Sequence, residues 1–191
     1  MNRYLDFEND IENIEKLIAE LDISKDNFKS KKTELLNRKN NILQKIYSNL
    51  SAWEKVQVAR HPNRPHAEDY LNLIFENIIY LHGDKKFSDD SAVLGCLGEI
   101  SGQSVMVIGT EKGNTMESRI KHNFGMAKPE GYRKAQRLMN IADKYNLPVI
   151  TFVDTAGAFP GKDAEERGQS ESIASSIQTS LKIGSPIVSI V

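Results

Sequence analysis

Apolar residues recur at helical intervals through the first sixty positions. Ile11, Ile14, Leu17, Ile18 and Leu21 fall at steps of three and four, which puts them on one face of a helix. Leu35, Leu36, Ile42, Leu43, Ile46, Leu50 and Trp53 continue the pattern further along. The polar stretch at residues 24–27 reads as a turn, so two amphipathic helices are expected, folded on each other or docked on a partner. The charges between the apolar positions alternate in sign (Asp10, Glu12, Glu15, Lys16, then Lys29, Lys31, Lys32, Glu34), as suits a face turned to water. Neither Pro nor Gly occurs before Pro62. Residues 1–60 are therefore expected to form a helical arm that serves assembly, and residues 61–191 a separate domain.

The pattern changes character after Arg60. Pro62 and Pro65 lack an N–H and push their predecessors toward extended geometry, which makes this segment a linker. Leu71, Ile74, Phe75 and Ile78 then predict a helix from about Glu68 to Leu81. Residues 92–100 and 103–109 read as two strands joined by the hairpin dipeptide Ser101-Gly102. Helical spacing returns over residues 130–145. The β-branched run Val149-Ile150-Thr151-Phe152-Val153 predicts a buried strand, and a second such strand follows at residues 186–191. Between them a single helix is expected over residues 163–182, with Ile173, Ala174, Ile177 and Leu181 facing inward. Strand, helix and strand of these lengths make a βαβ unit, and ligands of such sheets gather beyond the carboxyl ends of the strands. Here that is the segment from Asp154 to Gly161.

Composition narrows the function classes. Twenty-five Lys and Arg stand against 26 Asp and Glu, so the chain as a whole carries no field that would draw nucleic acid. The longest apolar runs have four residues, against about 18 for a membrane helix. The first thirty residues are charged throughout, without the apolar stretch of a secretory signal. A cytoplasmic protein that binds no nucleic acid and spans no membrane is the expectation. The single cysteine, Cys96, excludes an internal disulfide and a cysteine zinc cage. Within its predicted strand it reads as a buried, inert thiol.

The richest stretch for chemistry is Asp154-Thr155-Ala156-Gly157-Ala158-Phe159-Pro160-Gly161. Its small residues let a ligand approach the main chain, and free N–H groups at the start of the following helix can stabilise an oxyanion. A ligand-free strand-to-helix turn accounts for the same spacing. Gly157 to Lys162 falls short of a phosphate loop, with three residues between its glycines and Asp163 where Ser or Thr is required. The acidic Asp163, Glu165 and Glu166 suit a helix start. Nucleophile-elbow and dinucleotide signatures are missing, and His61, His66, His82 and His122 lack metal-ligand spacing. No metal in this chain is expected. Lys112, Arg119, Lys121, His122, Lys128, Arg133, Lys134 and Arg137 cluster around the Asn123-Phe124-Gly125-Met126 turn. They suit the phosphates of a nucleotide-bearing thioester or an acidic carrier domain, while residue by residue a solvated helix face is the simpler account. No general base stands out, so a reaction in which a substrate supplies the base would fit.

The order of five motifs adds to this reading. Leu5-Asp6-Phe7-Glu8, Ala59-Arg60-His61-Pro62-Asn63-Arg64-Pro65, Asn123-Phe124-Gly125-Met126, Pro129-Glu130-Gly131-Tyr132-Arg133-Lys134-Ala135, and the 154–161 loop through Glu165-Glu166-Arg167-Gly168-Gln169-Ser170-Glu171 resemble the alpha subunit of bacterial-type acetyl-CoA carboxylase carboxyltransferase. The resemblance spans essentially the whole chain. It implies an α/β, crotonase-like (ClpP/crotonase) spiral of βαβ units behind an N-terminal α-helical arm. It further implies transfer of a carboxyl group from carboxybiotin, held on the biotin carboxyl carrier protein, to acetyl-CoA, giving malonyl-CoA for fatty-acid synthesis.

The implied partners are a beta subunit of the same fold carrying a zinc ribbon, the carrier protein and biotin carboxylase, with an α2β2 stoichiometry for the transferase. In the family's mechanism the ureido nitrogen exposed as CO2 leaves biotin takes the proton from the acetyl methyl group. By resemblance, Thr155, Ala156, Gly157, Ala158, Phe159 and Gly161 line the substrate site, with Asn123, Phe124 and Gly125 as wall residues. The family's second glycine-rich stretch is expected just after the last strand, where this sequence stops. A truncated chain, inactive by itself, is therefore expected. The alternatives are a non-catalytic partner-binding fragment using Leu17, Leu21, Leu35 and Ile46, and a crotonase-like acyl-CoA hydratase or isomerase, which would need paired carboxylates in its pocket.

Overall fold

A computed structural model describes residues 4–22 and 27–191. The chain divides into two compact units, Met1–Arg64 and Pro65–Val191. The expected turn at residues 24–27 lies, Asn27 apart, outside the described residues.

The first unit holds three helices, α1 (Asn9–Ala19), α2 (Phe28–Tyr47) and α3 (Ala52–Ala59). Ile11 and Ile14 of α1 are buried, whereas no residue of α2 is. A short 3-10 turn precedes α1, and its Glu8 accepts hydrogen bonds from the Leu5 N–H at 2.8 Å and the Tyr47 hydroxyl at 2.5 Å. The Phe7 and Tyr47 rings meet edge to face, 6.4 Å apart, and Lys39 of α2 pairs with Glu15 of α1. The second predicted helix is two: Ser51 and Glu54 form a capping box that starts α3 afresh, so Trp53 belongs to α3.

The second unit is built on a five-stranded sheet in the order β1-β2-β3-β4-β5. Its strands are β1 (Glu76–Tyr80), β2 (Val93–Ile100), β3 (Gln103–Thr110), β4 (Val149–Phe152) and β5 (Ile187–Ile190). β1, β2 and β3 run antiparallel, and β3, β4 and β5 run parallel. The helix expected to run to Leu81 ends early. α4 (Ala67–Ile74) stops at Phe75, whose extended backbone leads into β1. Phe75 is buried against Ala67, Leu71, Cys96, Val105, Val107 and Phe152, a core on the α4 face of the sheet. Its burial fixes where the helix gives way, and the β-branched Ile78 and Ile79 then favour pairing with β2.

The opposite core joins Val93, Met106, Ile108, Ala127 and Val149 to Leu138, Met139 and Ala142 of α6 (Pro129–Lys144). α6 lies close enough that a Cβ at Gly95 would come within 2.1 Å of Leu138 Cδ1. Each fully buried Leu or Phe side chain contributes roughly 1.5–3 kcal/mol, so these two layers supply most of the unit's apolar stabilisation. Cys96 is fully buried, and burial pushes its thiol up to about 11, in keeping with an inert role.

Two expectations near the C-terminus need correction. The single helix over 163–182 is split into α7 (Lys162–Glu166) and α8 (Gln169–Lys182) by Gly168, whose φ of 81° lies in the left-handed region. The inward face of α8 is also not the apolar one. Gln169 and Ser172 are buried, while Ile177 is 58% and Leu181 81% exposed. The helix packs on α6 through hydrogen bonds instead: Gln136 Nε2 donates to the Ser172 carbonyl and to Ser176 Oγ, and Ser176 Oγ donates to the Tyr132 carbonyl.

Candidate functional site

The loop after β4 sits at the carboxyl end of the parallel strands, where α/β sheets place ligands. β4 hands over to it through two inward bonds. The Val153 N–H donates to the Ile190 carbonyl at 2.8 Å and the Asp154 N–H to Thr110 Oγ1 at 2.7 Å. Beyond that point the loop turns toward the 3-10 turn Asn123–Gly125, which follows α5 (Met116–Lys121).

Thr155 joins the two segments. Its hydroxyl donates to the Gly125 carbonyl at 2.6 Å, contacts the Gly157 carbonyl at 3.1 Å and accepts from the Gly157 N–H at 3.0 Å. A second junction follows, with Ala127 and Ala158 bridged in parallel and the Phe159 N–H donating to the Ala127 carbonyl at 2.9 Å. The two groups of expected site residues, 123–125 and 155–161, therefore meet. Thr155, Ala156 and Gly157 are exposed, Ala158, Phe159 and Gly161 half-buried, Phe124 exposed, Asn123 half-buried and Gly125 buried.

Gly157 has a φ of 131°, and a Cβ built on it would meet nothing within 4 Å. Its outer side is thus open space bounded by backbone. Its own N–H, however, is turned inward to Thr155. Lys112 Nζ and Asp154 Oδ1 pair at 2.6 Å beside the loop, and Lys128 Nζ lies 4.8 Å from the centre of the Phe159 ring. Among the described residues no group of three His, Cys, Asp or Glu side chains could hold a metal ion.

The turn itself is strained and braced. Asn123 and Phe124 both carry positive φ, 48° and 56°. Asp90 holds them from beneath, accepting from Asn123 Nδ2 at 3.2 Å, from the Ala92 N–H at 3.0 Å and, through Oδ2, from the Lys128 N–H at 2.8 Å. Burial raises the Asp90 carboxyl despite these donors. No motif marks Asp90 in the sequence, and only its place between two other acidic or small residues, Asp89 and Ser91, hints at a loop. A cavity of about 230 Å³ lies behind the turn, lined by Tyr80, His82, Asp89, Ser91, His122 and Lys134 among others, and none of the expected site residues lines it.

The basic cluster does not act as one surface. Lys134 is buried and bonds Asp89 and the Asp90 carbonyl. Arg133 pairs with Asp84 and Glu130, and Arg137 donates to the carbonyls of His82 and Gly83. These cations hold α6 to the loop before β2. Burial pushes the Asp84 carboxyl up, but the N–H groups of Phe87, Lys86 and Ser88, with Arg133, outweigh it and leave it below its ordinary value. His66 and His122 are likewise engaged within the fold, with Glu111 at 3.2 Å and the Ser91 carbonyl at 2.6 Å respectively.

The mixed α/β sheet has the fold of the crotonase-like carboxyltransferases. The chain superposes on 12S transcarboxylase with a TM-score of 0.54 at 18% identity, covering 65% of this chain and 23% of that one. Against a single-chain, multi-domain long-chain acyl-CoA carboxylase the TM-score is 0.55 at 19% identity, over 70% of this chain and 13% of that one. Residues 4–191 match the family described as acetyl co-enzyme A carboxylase carboxyltransferase-like, and the chain belongs to that family. It is 50% identical to the acetyl-coenzyme A carboxylase carboxyl transferase subunit alpha of Zymomonas mobilis and 51% identical to that of Agrobacterium fabrum. In both cases all of this chain is matched, and it spans 62% of the relative's length.

Proposed function

We propose that this chain supplies the alpha-type side of a biotin-dependent carboxyltransferase, acting with a beta-type subunit to move a carboxyl group from carboxybiotin on its carrier protein to acetyl-CoA. The observation that carries the proposal is the Thr155 clasp, which joins the Asn123–Gly125 turn to the 154–161 loop and leaves Gly157 open to solvent. Residues 61–191 serve as the carboxyltransferase domain and residues 1–60 as the assembly arm, in an α2β2 complex of the cytoplasm with biotin carboxylase as a further partner. Zinc belongs to the beta subunit in this reading.

The chemistry asks little of acid–base side chains. The C–N bond of carboxybiotin breaks to release CO2, and the freed ureido nitrogen takes a proton from the acetyl methyl group. The resulting enolate then forms a C–C bond to the CO2 carbon, giving malonyl-CoA. The protein's part is to align the reactants and to face the enolate oxygen with dipoles. Thr155, Ala156, Gly157, Ala158, Phe159 and Gly161 form the floor against which substrate lies, with Asn123, Phe124 and Gly125 as its wall. The Gly157 and Phe159 N–H groups are committed to Thr155 and Ala127. Donors toward substrate therefore come from other main-chain positions, with Ala156 and Ala158 as the candidates.

The test is reconstitution with the beta-type subunit, carboxylated carrier and acetyl-CoA. Malonyl-CoA formation by a form of the protein that extends beyond residue 191 over the length of its relatives, lowered by Gly157→Val with little loss of assembly, is the expected result. Stable binding to the beta subunit with no turnover in any form of the protein would favour the non-catalytic partner-binding reading.

A further inference from the structure

Gln169 opens α8, yet its side chain serves the loop rather than the helix. Its Nε2 donates to the Ala127 carbonyl at 2.9 Å and to the Phe159 carbonyl at 3.4 Å. These are the residues on either side of the second junction between turn and loop. Thr155 thus ties one end of that contact and Gln169 the other. The residue is 3% exposed, and Oε1 is the one buried side-chain polar atom among the described residues that lacks a hydrogen-bond partner. Turning the amide over would not relieve this, because Oε1 would then face two carbonyl oxygens. A Met or Leu would fill the space without stranding an acceptor. What the amide adds is two N–H donors on one atom, matched to two loop carbonyls.

The corner that aims Gln169 is rigid. Glu130, buried on α6, accepts from Arg167 Nε at 2.7 Å and from Arg133 Nη2 at 3.1 Å. Arg133 Nη1 also donates to the Arg167 carbonyl at 3.0 Å. Gly168 then reverses the chain in the left-handed region, so the first side chain of α8 is delivered to the loop by two half-buried arginines on a buried carboxylate and by a glycine.

We propose that Gln169 is a positioning residue for the candidate site, setting the spacing between the Asn123–Gly125 turn and the 154–161 loop through the carbonyls of Ala127 and Phe159. This rests on the function proposed above. Gln169 touches no substrate in this scheme, and its effect reaches the reaction through loop geometry.

The experiment compares Gln169→Met and Gln169→Glu in the assembled enzyme. Misplacing a substrate loop by about 1 Å can cost on the order of a hundredfold in rate, so Gln169→Met is expected to lower kcat about tenfold to a hundredfold at every pH, with KM for acetyl-CoA little changed. In the Gln169→Glu variant an ionised carboxylate would repel both carbonyls, whereas a protonated one can donate to one of them, and burial favours the protonated form. Turnover of Gln169→Glu should therefore recover relative to wild type as pH falls from 8.5 to 6. Hydrogen exchange at the Phe159 amide supplies a readout free of catalysis: protection should drop in Gln169→Met. Wild-type kcat and unchanged Phe159 protection in that variant would overturn the proposal. If Gln169 variants are silent while Gly157→Val lowers turnover, only the positioning role fails. If Gly157→Val is silent as well, the functional reading fails, and the Phe159 exchange data still decide the role of Gln169. Should Gln169→Glu not fold, the Met variant and its exchange pattern decide the matter.

Discussion

Replacing Thr155 by Val keeps the side chain's volume and branching and removes only the hydroxyl. Three contacts go with it: the donation to the Gly125 carbonyl and both contacts with the Gly157 main chain. Their costs differ. Gly157 is exposed, so water replaces what its N–H and carbonyl lose, whereas Gly125 is buried. Leaving a buried acceptor unpaired costs about 1–3 kcal/mol, and the surface position of Thr155 places this case near the low end. Thermal unfolding should accordingly drop by only about 2–4 °C. Turnover should fall much further, because the clasp ties the open end of the loop to the turn. Malonyl-CoA formation by the reconstituted complex, measured beside thermal unfolding, separates the two effects. Thr155→Ser restores the hydroxyl and should restore rate. A Thr155→Val enzyme that loses this small amount of stability and keeps wild-type kcat/KM would refute the claim that this hydroxyl shapes the site.

Gly157→Ala and Gly102→Ala make a matched pair, since both glycines have positive φ and neither would bring a Cβ within 4 Å of other atoms. Each should lose about 1–3 kcal/mol from backbone strain, but only Gly157→Ala should reduce kcat; equal kinetics in the two variants would show the loop to be a plain turn. Gly95→Ala drives a methyl into Leu138 and should lower the urea midpoint by the equivalent of about 1–3 kcal/mol, with full stability in the variant contradicting the close approach of α6 to the sheet. Burial lifts the Asp89 carboxyl, but Lys134, the Gly83 N–H and His82 outweigh it and hold it at about 2. The stability Asp89 contributes is complete above the carboxylate range of the unfolded chain and is lost as pH falls through about 2. The gap in urea midpoint between wild type and Asp89→Asn should therefore close between about pH 5 and pH 1.5, and a gap independent of pH would count against the pair.

Where periodicity and turn chemistry agree, the sequence is legible. Ser101-Gly102 between alternating runs marks the β2–β3 hairpin, and the stretch from Val149 marks β4 and hence the location of the loop. β1 escapes such a reading because Leu71, Ile74, Phe75 and Ile78 keep helical spacing straight across a boundary that depends on Phe75 burying itself against Phe152 and Val105, contacts far away in sequence. The basic cluster misleads for a related reason. Lys134 and Arg133 look like surface cations, and only the fold brings Asp84 and Asp89 to them. α8 misleads through its own symmetry: its apolar stripe is real, but a stripe says which side is apolar, not which side meets α6, and the Ser face exchanges hydrogen bonds with the Gln136 amide and the Tyr132 carbonyl of α6.

The candidate site shows the same division between what spacing can report and what it cannot. Small residues at 156–158 announce a place where a main chain can be approached, and Gly157 is open as that reasoning requires. The polar atoms that hold this surface in shape come from elsewhere: Asp90 beneath the turn, Gln169 behind the loop, and Thr155 between them. Each makes hydrogen bonds to main-chain groups, so none needs a recognisable partner residue in the sequence. In the proposed reaction the proton acceptor arrives with the substrate, which leaves the protein with the work of holding dipoles still, and residues of that kind are found by asking where the loop's carbonyls and N–H groups end rather than by looking for acids and bases.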